Sequence, residues 1–253
     1  MVTPMATPAT PTADAFLARL EARTSPTERD KLRRYFKAGE GADPTADVVL
    51  GVRMGQVFAL AKEFIDLPPN QIDQLLASPI HQVRAGALSI MGKQASRKRT
   101  PERRRKQLYE LYLRRTNRIN DWDLVDISAH QVVGGYLLDK PRDVLYRLAR
   151  SPHWWERRIA MFATLAFVRT GDLDDTFALA EVLVHDGHDL VRKVVGGMLR
   201  EAGKHDRARL LGFLDTHAAT APRVLLRDAI EHLDPAQRAH YLGLKARAGR
   251  ASS

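Results

Sequence analysis

Four turns in this chain are each followed by an arginine, six residues after the turn begins. Ser78-Pro79 leads to Arg84, Ser151-Pro152 to Arg157, Asp186-Gly187 to Arg192 and Ala221-Pro222 to Arg227. The last three turns begin 35 residues apart, and the gap of 73 after the first leaves room for one more unit, beginning near Asn120. Between turns, apolar residues recur at i, i+3, i+4 and i+7, as in FALAKEFIDL (58–67), LSIMGKQA (88–95), LYELYL (108–113) and DTFALAEVLV (175–184). No convincing strand-like alternation appears. Gly, Pro or Asp/Ser caps mark the breaks, Pro68-Pro69 and Asn120-Asp121 among them. Two short helices per unit, at a period of roughly 35 to 45 residues, predict an all-α, HEAT-like helical-repeat solenoid.

The repeated arginine has two readings. It can line one face of the stack, at the start of each second helix, or it can pair and pack within its own repeat. Charge bears on the first reading. The chain carries 40 Lys and Arg against 30 Asp and Glu, a net +10, and residues 97–106, RKRTPERRRK, hold seven cations and one anion. Clustered positive charge points to a polyanionic partner: DNA, RNA or an anionic membrane surface.

The middle unit departs from the pattern. Six residues after Asn120 stands Asp126, an acid where the other units carry arginine. Local rule-breaking of this kind is where function is worth seeking. In INDWDLVDISAHQVVGGYLL (119–138), Asn120 or Asp121 suits a helix N-cap, and Trp122 and Asp126, four apart, project from one helix face. A carboxylate near the apolar Leu124, Val125 and Ile127 is costly unless it is paired or faces water. One reading pairs Asp126 with Arg157 or Arg158 and leaves Trp122 in the core; the other makes both functional.

Here the chain resembles the AlkD-like family of DNA alkylation repair proteins, HEAT-repeat DNA glycosylases, over roughly Tyr35 to Leu242. The matching stretches are RRYFKAGEG (33–41), VLGVR (49–53), SPIHQVRAGAL (78–88), INDWDLVDISA (119–129), WERRIA (155–160), HDLVRKVVG (188–196), MLREAGK (198–204) and PRVLLRDAIEHL (222–233). The resemblance implies a concave basic face on double-stranded DNA and excision of positively charged N3- and N7-alkylated purines by a monofunctional glycosylase. It makes Asp126, Trp122 and Arg158 the catalytic residues. The expected DNA contacts are Tyr35, Lys37, Arg84, Arg157, Arg192, Lys193, Arg200 and Arg227. A second Trp of the family falls at Gly197, so this chain lacks it; Trp154 is the candidate to fill the gap, with Trp155 in the core. That departure keeps open a non-catalytic binder of damaged or branched DNA. A scaffold for an acidic protein is a third reading.

The chemistry suits a single acid. A cationic purine leaves as a neutral base and needs no general acid, unlike a glycoside leaving group. Positive charge develops on the deoxyribose, where a carboxylate stabilises it and a Trp face adds cation–π attraction.

Other chemistry finds little support. No apolar run is long enough to cross a membrane. There is no cysteine, hence no disulfide or thiolate metal site. No phosphate-binding Gly loop, dinucleotide fingerprint or Ser-His-Asp signature appears. His185 and His188 lack further clustered ligands, so no metal and no cofactor are expected. Residues 1–12, rich in Pro and Thr, and 247–253 read as disordered tails around one domain, 13–246. A monomer in the cytoplasm, at the bacterial nucleoid, is the expected setting.

Overall fold

The computed structural model describes residues 11–38 and 48–251, with side chains at 33, 35–38 and 245–251 outside that description. The described residues form an all-α helical-repeat fold; the one β contact among them is an isolated bridge between Val48 and Ile80. The chain divides into two compact units, Met1–Ser128 and Ala129–Ser253.

The first unit contains α1 (Ala13–Glu21), α2 (Pro26–Ala38), α3 (Met54–Glu63), α4 (Pro69–Leu76), α5 (His81–Ser96), α6 (Glu102–Arg114) and α7 (Trp122–Ala129), which ends one residue past the division. Thr12 caps α1 by accepting the Ala15 N–H. Pro68-Pro69, read from sequence as a stop, in fact opens a helix. Pro68 is the N-cap and Pro69 the first helical residue of α4, where a missing N–H costs nothing. Helix α5 is the hub, packing against α3, α4 and α6. It buries His81, Gln82, Arg84, Ser89 and Gln94 as well as its apolar residues. Such groups need partners. Gln82 accepts the Leu50 N–H at 3.0 Å, and Gln94 donates to the Leu67 carbonyl at 2.7 Å.

The second unit opens with a π-helical turn, His130–Gly134, and continues through α8 (Asp143–Leu148), α9 (Trp154–Ala163), α10 (Leu165–Val168), α11 (Asp174–Leu183), α12 (Asp189–Gly203), α13 (Arg207–His217), α14 (Arg223–Ala229) and α15 (Pro235–Ala251). The π turn packs on α9 and α10. A Cβ at Gly134 would lie 2.0 Å from the Ala163 carbonyl oxygen, so this approach admits only glycine. Helix α12 is the hub here, packed by α9, α11, α13 and α14. Helix α15 runs through Ala251, beyond residue 246, where the expected domain ended.

The six-residue offset has a local cause. Arg84 donates to the Ser78 carbonyl (3.2 Å), Arg157 to that of Ser151 (2.9 Å) and Arg192 to that of Asp186 (2.5 Å). Each guanidinium thus closes its own turn, just past the C-terminal end of the preceding helix. Carbonyls left without intrahelical donors and the negative end of the helix dipole both favour a cation there.

Candidate active site

Helix α7 begins where Asp121 stops the preceding segment. The Asp121 carboxylate accepts the Trp122 N–H at 2.7 Å, and its carbonyl accepts the Val125 N–H at 3.1 Å. Leu124, Val125 and Ser128 turn inward and are fully buried. Trp122, Asp123, Asp126 and Ile127 form the half-buried stripe. Trp122 and Asp126 therefore share the partly exposed side of one short helix, as their spacing predicts.

Two features from neighbouring helices support this stripe. His81, with 1% of its side chain exposed, places Nε2 at 2.8 Å from Oδ2 of Asp123. Tyr112 is fully buried, and burial, then the negative charge of Asp126, push its phenol far above the ordinary value. The phenol stays protonated within electrostatic reach of the carboxylate. Nothing in the sequence marks either residue: His81 lies 42 positions from its partner, and Tyr112 reads as one apolar position among several.

His81, Asp121 and Asp123 also bring three potential ligand atoms within 4.8 Å of one another, the one such group among the described residues. The same residues serve as supports of α7, Asp121 holding the Trp122 N–H and Asp123 meeting His81.

The expected DNA-contacting cations separate into two sets. Arg84 has no exposed surface, so the contact expected of it is corrected to the turn-closing role within its own repeat. Arg157 forks onto Asp186, Nε to Oδ2 at 2.5 Å and Nη2 to Oδ1 at 3.0 Å. Arg192 reaches Asp189 at 2.7 Å, and Arg200 pairs with Glu231. Arg158 is 6% exposed and donates to the Leu190 carbonyl on α12. Lys193 and Arg227 are exposed. The side chains of Tyr35 and Lys37 lie outside the described residues.

Trp154 and Trp155 differ from expectation. Both are half-buried, so Trp155 is not in the core and Trp154 is partly covered. Trp154 stacks on His188 with ring centroids 4.5 Å apart and planes 4° apart, and Trp155 stacks on His153 at 4.6 Å and 18°. Each indole has a histidine on one face. His188 in turn caps α12, its Nδ1 accepting the Leu190 N–H at 3.2 Å.

The adjacent glycines of α12 meet different surroundings. A Cβ at Gly196 would stand 2.4 Å from the Leu225 carbonyl oxygen and 2.8 Å from Asp228 Cβ, so α14 can pack here only against glycine. A Cβ at Gly197 meets nothing within 4 Å. Gly197 lies four residues after Lys193 and three before Arg200, on the more exposed side of the helix.

Residues 16–233 match the model of a family described as DNA alkylation repair enzyme. A predicted DNA alkylation repair enzyme from Enterococcus faecalis, solved as a structure, is similar in fold with a TM-score of 0.63 at 14% identity, over 84% of this chain and 98% of that one. No curated protein matches the sequence.

Proposed function

We propose, on the premise that this chain belongs to the DNA alkylation repair enzyme family, that it excises positively charged N3- and N7-alkylated purines from double-stranded DNA by hydrolysing the N-glycosidic bond. The observation that carries this reading is the pairing of Trp122 and Asp126 on the half-buried stripe of α7. Asp126 opposes the positive charge that develops on the deoxyribose and orients the attacking water. The Trp122 face packs on the sugar and adds cation–π attraction. The alkylated base leaves neutral, so no second acid is required, and Tyr112, held protonated by burial, offers no competing anion. Among the DNA contacts expected from sequence, Lys193 and Arg227 are the exposed cations, open to phosphates. The deciding experiment incubates pure protein with methylated duplex DNA and measures free 7-methylguanine and 3-methyladenine. Release of both is expected, with little release of uracil or hypoxanthine from matched duplexes, because neutral bases are poor leaving groups. Failure to release methylated bases under conditions of tight DNA binding would refute excision.

That last outcome describes the second reading, a binder of damaged DNA without glycosylase activity. The open space at Gly197 favours it, since no side chain from that position adds apolar surface.

A further inference from the structure

The basic run at 97–106 forms the α5–α6 connection and the first turns of α6. It borders a hollow of about 280 Å³ lined by Asp66, Gln94, Arg97, Arg99, Thr100 and Arg104. Three guanidinium groups face one carboxylate there. Arg97 is already engaged, donating to Asp66 at 2.6 Å. Arg104 is held from beneath: its Nη1 donates to Oε1 of Gln94 at 3.4 Å, and Gln94, 5% exposed, is itself fixed by its bond to the Leu67 carbonyl. Arg99 is exposed at the rim. Pro101, also in the lining, is the N-cap of α6 and makes no side-chain cap bond, so the positive end of a 13-residue helix dipole adds to the arginine charge.

We infer that this hollow is a phosphate-binding site, taking a backbone phosphate of duplex DNA. Planar guanidinium forks match the geometry of phosphate oxygens, and a buried side chain that orients one of them distinguishes the site from a merely solvated basic surface. The phosphate chemistry stands independently of base excision; the choice of DNA as its source rests on the repair-family reading.

The test uses the full chain and two probes. Inorganic phosphate, followed by ³¹P line broadening, reports the site itself; an unmodified duplex oligonucleotide, titrated at several salt concentrations, reports the source. Arg99→Glu reverses an exposed charge and leaves the core intact, and Asp66→Asn removes the competing anion. Phosphate affinity should fall at least tenfold in Arg99→Glu and rise severalfold in Asp66→Asn. If the source is DNA, the log–log salt slope for duplex binding loses about 0.9 in magnitude in an Arg99→Ala variant, one phosphate contact's worth. Phosphate binding that responds to the variants beside an unchanged duplex slope supports the site and assigns it to free phosphate, overturning the DNA source. Wild-type protein that binds no inorganic phosphate, with a duplex slope indifferent to all the variants, overturns the inference. Base release from methylated DNA, run in parallel, reports separately on Asp126.

Discussion

His81 Nε2 lies 2.8 Å from Oδ2 of Asp123, and this contact ties the buried start of α5 to the first turn of the helix that carries Trp122 and Asp126. The other Asp123 oxygen is buried without a hydrogen-bond partner. His81→Ala therefore leaves the carboxylate poorly supported and should cost about 1–3 kcal/mol, read as a lowered urea midpoint. Base release should fall with it while duplex affinity holds, since α7 loses alignment and no phosphate contact is removed. His81→Asn, which can still donate, should recover part of both losses.

Asp126→Asn keeps the shape of the side chain and removes its charge. Excision of methylated purines should drop by a factor of about 10² to 10³, the scale of losing one preorganised electrostatic group. Duplex binding should stay near wild type. If Asp126 is only a structural partner, the variant instead melts early and its folded fraction excises normally. Thermal melts run beside single-turnover excision separate the two outcomes.

The two glycines of α12 should respond in opposite ways. Gly196→Ala drives a methyl into the Leu225 carbonyl and should destabilise by about 1–3 kcal/mol. Gly197→Ala and Gly197→Trp enter open space and should fold with an unchanged or raised melting temperature. If the missing aromatic limits catalysis, Gly197→Trp also raises the excision rate; an unchanged rate in a folded variant removes that position from the site.

Arg157 and Lys193 should divide stability from DNA binding. Arg157→Ala strips the fork from Asp186, whose side chain is 5% exposed, and should cost about 3 kcal/mol, the scale of breaking a buried pair. The salt slope of duplex binding by the folded variant should not change. Lys193→Ala should leave the melting temperature alone and reduce the slope by about 0.9.

Stability should also depend on pH through His130. Its Nδ1 is buried without a hydrogen-bond partner, and its ring meets Phe162 edge-on at 5.6 Å. Burial, then the positive charge of Arg169, pull its pKa down to about 4. The folded protein thus holds a neutral ring where an unfolded chain takes up a proton below about pH 6.5. The contribution is full above that pH, declines as pH falls, and levels off near pH 4. His130→Phe should flatten the profile of urea midpoint against pH across this window.

Much of the fold was legible because its signals are local. A turn, an arginine six residues on and a helical apolar spacing lie within one repeat, and helices cover 88–95 and 108–113 in full, 175–184 to Leu183, and 58–67 only as far as Glu63. What the arginine does was not legible, since spacing gives the position of a donor and not its acceptor. The same limit separates Gly196 from Gly197: identical residues, one facing a carbonyl of α14 and the other open space. It also explains the two tryptophans, whose histidine partners His153 and His188 set their exposure as much as the helix register does. Trp122 and Asp126 were readable as a pair on one face. Their supports, His81 and Tyr112, come from other helices and leave no pattern along the chain.

The turn-closing arginines bear on how the chain reaches its native state. Each closure joins atoms only six residues apart, so it forms with little loss of chain entropy and without waiting for a distant segment. A fold assembled from such contacts has low contact order and should collapse quickly, with more than one repeat able to serve as a starting point. Removing a closing arginine then weakens one nucleus and leaves the others, and refolding should slow by less than unfolding accelerates.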